Sequence, residues 1–420
     1  MIKISENIKR LIERAKDKIN IPLYQLEKDY LLTMILRELV KRDNNIVFKG
    51  GTCLSKAYKV IERFSEDIDI TYLASYSKER KEYGVSGKQR LEINNLVEEV
   101  VKKYDFEIID DIRDASKKEM NYKNKRREFK IKYNNVYSDV NIIKIDSSYI
   151  TPTIEYNTKE ILPMLCEILG INVNTGTDEE AETLTKFKIK VEKEEQIIAD
   201  KFFALSKHLK LNEYENYSRH IYDIYKVTKN DAININDISK YVKETEKYEN
   251  ENAIKDKENG KKVEESDLKD VLLDVCSSTE YENDFVNNLQ KDLLFTNEKN
   301  KISFEVCIKA IKDLIKKGVF DNIKYYFVLK RKTYLYKYDK KLKKAERYSL
   351  EKFIRNEFEE NKAKAFEQWD KWKNDLENAN KGNDEGIYKV CRLNNDTYIV
   401  AKGITESFAT EIINKQKLKM

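Results

Sequence analysis

The sequence predicts an α+β chain: a mixed sheet with flanking helices, then a helical domain, then a small α+β C-terminal domain. Three observations predict it. Short apolar strands alternate with amphipathic helical stretches up to about residue 230. A charged, polar stretch at 246–266 interrupts the pattern and reads as a solvated linker or loop, with helical periodicity beyond it. From about residue 319, strand-like runs rich in tyrosine take over. The domains are therefore drawn at 1–230, 231–318 and 319–420.

Taken in order, residues 3–20 and 25–42 read as amphipathic helices; in the second, Tyr30, Leu31, Met34, Ile35 and Leu39 recur at helical spacing. Ile46, Val47 and Phe48 form a short apolar strand that stops at Gly50-Gly51, and Leu54, Ala57, Tyr58 and Ile61 resume a helical period. A second strand covers 68–72, with Asp67 and Asp69 at its start. Residues 91–104 read as a helix. The runs 129–133 and 136–145 read as a hairpin turned at Asn134-Asn135, a pair that favours tight turns. A short helix is expected over 161–168, a strand over 187–191, and helix throughout 194–228. Helices follow at 268–276, 285–294 and 304–315. The last segment is read as strands at 325–329 and 333–338, a long charged helix at 350–376, a hairpin of 387–392 with 397–401, and a short terminal helix.

The 420 residues allow two or three domains of ordinary size. A content of 40% hydrophobic and 37% charged residues suits a globular chain with a heavily charged surface. The formal charge of +5 does not mark the whole chain as a nucleic-acid binder. The basic excess is local: Lys117, Lys118, Lys123, Lys125, Arg126, Arg127, Lys130 and Lys132 form one cluster, and residues 330–347 hold another. Five scattered cysteines without a CxxC pair or nearby histidine exclude a zinc site and favour reduced thiols. With no apolar stretch long enough for a bilayer and no leader-like apolar region, the expected setting is cytoplasmic, away from membranes.

The informative segment runs from Phe48-Lys49-Gly50-Gly51-Thr52 to Ser65-Glu66-Asp67-Ile68-Asp69. A strand ending in two glycines and a hydroxyl residue at a helix start makes an anion site, because glycine admits phosphate close to the backbone. Asp67 and Asp69 stand two apart on a strand and so share one face. Paired carboxylates of this kind suit magnesium bound with a nucleoside triphosphate. Asp146, at the end of a further strand, offers a third carboxylate. Two metal ions so held would clamp the attacking hydroxyl and leaving pyrophosphate of an in-line displacement. Each half alone is weak, since a Gly-Gly turn is usually only a turn and Asp-x-Asp usually a solvated strand edge. The order strand, Gly-Gly-Thr, helix, strand with Asp-Ile-Asp is far rarer.

Phe48 to Thr52, together with Arg63-Phe64-Ser65-Glu66-Asp67-Ile68-Asp69, resembles the signature of AbiEii/AbiGii-type nucleotidyltransferase toxins, within the DNA polymerase β-like superfamily. Glu195-Gln-Ile-Ile-Ala-Asp-Lys201, Ser218-Arg219-His-Ile-Tyr-Asp223 and Glu27-Lys28-Asp29 resemble further family motifs. The resemblance covers residues 1–230 well and 268–318 loosely. It implies a polymerase β-like core in which Gly51 and Thr52 cradle phosphate, with Lys49, Gly50 and Ser65 beside them. It implies that Asp67 and Asp69 bind magnesium with Asp146 as third ligand, and that Lys201 and Arg219 approach the triphosphate. Asp223 would hold the helix geometry or Arg219. The implied role is a toxin–antitoxin or abortive-infection phage-defence enzyme that moves a nucleotide onto RNA, foremost the tRNA 3′ end, countered by a winged-helix antitoxin.

Two alternatives remain open at this point: nucleotidylation of a protein or small molecule, and a non-catalytic nucleotide- or RNA-binding protein. Asp200 reads as a cap or ion-pair partner, and His208 and His220 as structural. The cluster at 117–132 reads equally as an RNA-backbone grip or a solvated edge. The tyrosines among 325–338 read as sheet residues, and Trp369 and Trp372 as helix anchors.

Overall fold

The computed structural model describes residues 4–18, 21–79, 82–111, 126–134, 136–137, 142–171, 179–230, 232–258, 268–295, 302–320, 325–330, 334–339, 344–348, 388–394 and 397–402. It divides into two compact units, Met1–Lys312 and Asp313–Met420.

The first unit is built on a mixed seven-stranded sheet. Its strands are β1 (Ile46–Lys49), β2 (Asp67–Tyr72), β5 (Glu107–Asp111), β6 (Arg126–Lys132), β7 (Ile142–Ser148), β8 (Tyr156–Ile161) and β9 (Phe187–Glu192), in spatial order β5-β6-β7-β2-β1-β9-β8. A separate two-stranded ribbon joins β3 (Ser75–Ser77) and β4 (Glu82–Gly84). The centre of the large sheet explains its sequence. Ile46, Val47 and Phe48 are fully buried, as a strand covered on both faces requires. In β2 and β7, Ile68, Ile70, Ile143 and Ile145 point into the core, while Asp67, Asp69, Lys144 and Asp146 alternate to the other face. Strand β2 pairs antiparallel with β1 and parallel with β7, in a register that sets Lys49 opposite Asp69 and Asp69 opposite Asp146. One row of charged side chains therefore crosses the middle of the sheet.

Helices α1 (Glu6–Lys18), α2 (Leu23–Arg42), α4 (Gly87–Lys103), α5 (Met164–Leu169) and α6 (Glu179–Thr183) flank this sheet. Ile8, Leu11, Ile12 and Ala15 give α1 a single buried stripe. Helix α2 is buried nearly all round and takes even Glu27, Lys28 and Asp29 inside. These charges find partners there. Asp29 meets Lys56 Nζ at 2.6 Å and accepts the backbone N–H of Met164, the first residue of α5, at 2.7 Å. Glu27 accepts the backbone N–H of Val136 at 2.9 Å, and Lys28 donates to Glu66 at 2.5 Å.

Helices α7 (Glu194–Leu211), α8 (Ser218–Thr228), α9 (Ile235–Glu258), α10 (Leu268–Val275), α11 (Thr279–Asp284) and α12 (Phe304–Lys316) complete the helical part. Helix α7 packs against α8, α9 and α10. The second unit contains an antiparallel sheet of β10 (Tyr325–Lys330), β11 (Tyr334–Asp339), β12 (Lys344–Tyr348), β13 (Tyr388–Asn394) and β14 (Thr397–Lys402), ordered β12-β11-β10-β14-β13. Among the described residues no helix is long and apolar enough to cross a membrane.

Several expectations need correction. Strands β6 and β7 do pair, but Lys132 stands opposite Ile142, so a long connection replaces the tight turn at Asn134-Asn135. Val136 lies in that connection, tied to Glu27. The helix expected over 161–168 is two elements: Ile161 ends β8, and α5 starts at Met164 after Pro163. Strand β8 escapes pattern reading because it is a sheet edge with a polar, mostly exposed sequence. Helix does not run through 194–228. It breaks at Asn212 and Asn216, both at positive φ, and Asp284 accepts the N–H groups of Asn216 and Ser218 where α8 begins.

The segment 246–266 is not simply a loop, because α9 extends to Glu258. Its Glu and Lys residues are good helix formers, and Ile238, Tyr241 and Val242 anchor its first turns in the core. Residues past Gly50 form only a short helix, α3 (Gly50–Cys53), followed by a π-helical turn over Leu54–Tyr58, so Ile61 lies beyond it. Strand β12 was not expected. The helix expected at 350–376 with Trp369 and Trp372, the terminal helix, and Lys117–Lys125 lie outside the described residues.

The buried Asp29–Lys56 pair gives a test of the fold. Asp29→Ala strands a buried ammonium and frees the first N–H of α5, so a loss of about 3–5 kcal/mol is expected. A urea unfolding midpoint measured on both proteins checks it.

Candidate active site

The site is assembled where β1 passes into α3 beside β2. Gly50 has φ +74°, and a Cβ placed on it would lie 2.1 Å from Asp69 Oδ2. Glycine is required twice over here, by the backbone and by the carboxylate next to it. At Gly51 a Cβ would come within 2.5 Å of Arg63 Nη2 and 3.1 Å of Ser65 Oγ. Thr52 is buried; its Oγ1 donates to the carbonyl of Asp67 at 2.5 Å and lies 2.9 Å from Ser65 Oγ. Thr52 and Ser65 thus stitch the start of α3 to the start of β2. Their hydroxyls are engaged with one another and shape the loop.

Asp67 and Asp69 come together on the same face, as expected. Among the described residues neither carboxylate has a hydrogen bond or ion pair, and both are desolvated. Burial raises the Asp67 carboxyl above its usual range, with Arg219 acting in the opposite direction. Asp69 is pushed up to about 7, by burial first and then by the charges of Asp146 and Asp67. Asp146 is the register partner of Asp69, but its Oδ2 is held by Arg126 at 2.8 Å from Nε and 2.5 Å from Nη2. Among the described residues no three His, Cys, Asp or Glu side chains form a ready metal cage.

A divalent cation fits the pair Asp67 and Asp69. Two adjacent desolvated carboxylates with no bonded cation form a hard-oxygen donor set, and Asp146 Oδ1 beside them is buried without a partner.

The expected cations sort differently. Lys49 is held by Asp200 at 3.0 Å. Burial would lower its pKa, but the charges of Asp200 and Glu192 outweigh that and raise it. Its positive charge sits beside Asp69 in the sheet row, so Lys49 balances the carboxylates from below. Asp200, read as a cap or ion-pair partner, is that ion-pair partner. Lys201 is buried and donates to Asp223 Oδ2 at 2.6 Å. Asp223 does not hold Arg219. It takes both Nε and Nη2 of Arg63, each at 2.7 Å, in a fully buried fork. Burial opposes ionisation of Asp223, yet Arg63 and Lys201 hold its carboxyl well below the usual range.

Among the described residues Arg219 alone of these cations has no hydrogen bond or ion pair, and its charge bears on Asp67 and on Lys201. His220 is half-buried with Nδ1 inside and unpartnered among the described residues, and desolvation with the charges of Lys201 and Arg219 keeps it neutral. His208 stacks on Tyr217 at 3.4 Å and meets Glu213 at 2.8 Å.

Sequence reasoning missed Arg63 as the partner of Asp223, although it stands in the quoted motif. It also missed Arg126 as the partner of Asp146, and Glu192. Glu192 is pushed up to about 7, by burial first, and accepts from Thr153 at 3.1 Å. Nothing in the sequence singles out that last residue of β9.

The family model described as nucleotidyl transferase AbiEii toxin, type IV TA system, matches residues 35–304, more than half of the chain. The chain belongs to the AbiEii family. It is accordingly a nucleotidyltransferase toxin of a type IV toxin–antitoxin system, which brings a nucleoside triphosphate substrate and an antitoxin partner. The match spans the whole of the site just described and ends in the first turn of α12. A similar solved structure is MenT4, a nucleotidyltransferase toxin from Mycobacterium tuberculosis H37Rv. It is 15% identical, with 56% of this chain and 68% of that chain covered and a TM-score of 0.37. No curated protein matches the AbiEii-family chain.

Two outcomes follow from this geometry. Gly50→Ala must displace the Asp69 carboxylate, so nucleotide transfer is expected to fall by two orders of magnitude or more, on the scale of losing a preorganised group. Circular dichroism checks that the fold is kept. The second concerns pH. An unfolded Asp titrates near 3.9, whereas folded Asp69 titrates at about 7. Between those values the folded state holds the extra proton, so stability of the metal-free protein falls as pH rises from ~4 to ~7. Asp69→Asn is expected to flatten that fall and to raise the melting temperature above pH 7, measured by calorimetry in EDTA.

Proposed function

We propose that this toxin is a magnesium-dependent enzyme that transfers a nucleoside monophosphate from a triphosphate to RNA, at the tRNA 3′ end, releasing pyrophosphate. Arrest of translation by tRNA modification would make it an abortive-infection defence factor, restrained by a winged-helix antitoxin. The carrying observation is the Asp67–Asp69 pair, desolvated on one strand face with Gly50 cut back to make room. Such an arrangement is unfavourable for folding alone and suits a site that receives cations.

In this reading Asp67 and Asp69 hold magnesium, with Asp146 available as the third ligand and two ions as the working number. Bound there, magnesium neutralises triphosphate charge and lowers the pKa of the attacking hydroxyl. The chain's own residues do the positioning. Arg219, the cation without an internal partner, faces the triphosphate. Lys201 acts from one layer deeper, and with Arg63 and Asp223 it braces α7 and α8 against the loop that carries Ser65. Lys49 keeps a positive charge under Asp69. Gly50 and Gly51 let the strand-to-helix turn pass close to phosphate. Neutral His220, half-buried beside the charges of Lys201 and Arg219, takes no part as a base in this reading.

Family membership and the local cluster at 117–132 support RNA as acceptor. Within β6, Arg127 is already engaged by Glu98 at 2.8 Å and stacked over Phe129 at 4.1 Å. In this reading the exposed Lys132 is the described lysine of that cluster offered to an RNA backbone.

Purified protein with magnesium, each labelled triphosphate and total tRNA tests the reading. Ribonuclease-sensitive label is expected with one preferred nucleotide, reduced on the order of 10²–10³-fold by Asp67→Ala, which should also be non-toxic in cells. Label found only in protein or in a dialysable product would overturn the RNA acceptor. Toxicity that survives Asp67→Ala would overturn the enzymatic reading of the site.

A further inference from the structure

The two arginine–carboxylate pairs of the site differ in a way that separates structural from exchangeable contacts. Arg63 and Asp223 meet fork to fork, Nε on Oδ1 and Nη2 on Oδ2, with side-chain exposures of 2% and 0%. Every oxygen is used and neither group can leave. Arg126 instead places both Nε and Nη2 on the single oxygen Oδ2 of Asp146, and its side chain is 45% exposed. The other oxygen, Oδ1, is buried without a partner, next to the strand that carries Asp69. A carboxylate served on one oxygen only, by a cation half in solvent, is poorly satisfied for a structural pair.

We propose that Arg126 is the resident counter-ion of Asp146, and that it yields this carboxylate when a divalent cation enters beside Asp67 and Asp69. Arg126 therefore sets how tightly the site holds metal. The inference rests on the reading of these carboxylates as the cation site. Competition is the physical basis: guanidinium on Oδ2 and a metal approaching Oδ1 draw on the charge of the same carboxylate, so the strength of one contact is subtracted from the other. The geometry also provides for the displaced side chain. Glu128 lies two residues along β6, on the same sheet face, and is the register partner of Asp146. Its carboxylate accepts no hydrogen bond among the described residues, and its charge already acts on Arg126. Arg126 can thus move from Asp146 towards Glu128 or out to solvent without losing all of its countercharge. This keeps Asp146 neutralised between turnovers and prevents two ionised carboxylates on adjacent strands from facing each other bare.

The test is a titration of nucleotide-free full-length protein with Mn²⁺, followed by the electron paramagnetic resonance signal of free Mn²⁺. Arg126→Gln keeps a polar, hydrogen-bonding side chain and removes the competing charge; it is expected to bind Mn²⁺ at least tenfold more tightly than wild type. Asp146→Asn should bind more weakly than wild type, and adding Arg126→Gln to it should bring no gain. Equal or weaker binding by Arg126→Gln, in protein shown by circular dichroism to be folded, would overturn the proposal. So would a gain that persists in the Asp146→Asn background. If Asp67→Asn, Asp69→Asn and wild type all bind Mn²⁺ alike, the reading of the carboxylates as the cation site fails first, and that result is distinct from the other two.

Discussion

The structure is organised around one unfavourable contact: half-buried Asp69 is desolvated beside two other carboxylates, Asp67 on its own strand and Asp146 opposite it on β7. Like charges at this spacing repel strongly once water is withdrawn. The surrounding residues are intelligible as responses to that repulsion. Lys49 brings a positive charge from β1 and is itself kept in place by Asp200. Arg126 covers one oxygen of Asp146. Gly50 withdraws its side chain altogether, because any Cβ would strike Asp69. Among the described carboxylates of the site, Asp67 and Asp69 are left without a bonded countercharge, which is where a nucleotide's metal would come to rest in the proposed mechanism.

A second layer keeps this arrangement rigid. The buried group of Arg63, Asp223 and Lys201 carries two positive charges and one negative, and its geometry uses both carboxylate oxygens. Removing a partner from such a group is far more damaging than its net worth suggests, since a charge would be stranded in a dry interior. The group ties the loop before β2 to α7 and α8, so the side of the site that offers Arg219 is held against the side that offers the carboxylates.

Much of this was legible in the sequence, and the exceptions share a cause. The strand before Gly50, the Asp67–Asp69 alternation and the helical stripes of α1 and α2 follow from periodicity, which is local information. What escaped was set by partners distant in sequence. Asp223 reads from the resemblance as holding the helix geometry or Arg219, four residues away, but it binds Arg63, which lies 160 residues upstream. Asp146 was read as a free ligand, and only the β6–β7 register brings Arg126 to it. Lys201 reads from the family resemblance as a cation approaching the triphosphate, and nothing local shows that Asp223 on α8 holds it. Strand β8 and the second half of α9 were missed because polar residues on an edge strand or in a highly charged helix look like loop when counted by hydrophobicity alone.

The loop ahead of β2 carries one more contact. Phe64 donates its N–H to the carbonyl of Leu293, and Phe295 donates to the carbonyl of Glu62, at 2.9 and 3.1 Å. Arg63 thereby forms a β-bridge with Leu294, joining the active-site loop to the stretch that follows α11. The residues around 294 thus serve as a splint for a loop more than two hundred positions earlier in the chain. A lineage could shorten α9 or alter the segment beyond it, but it could not exchange the helices as a detachable module. Whatever arrived at 293–295 would have to supply the same two backbone groups at the same spacing, or leave the motif around Ser65 without its outer wall.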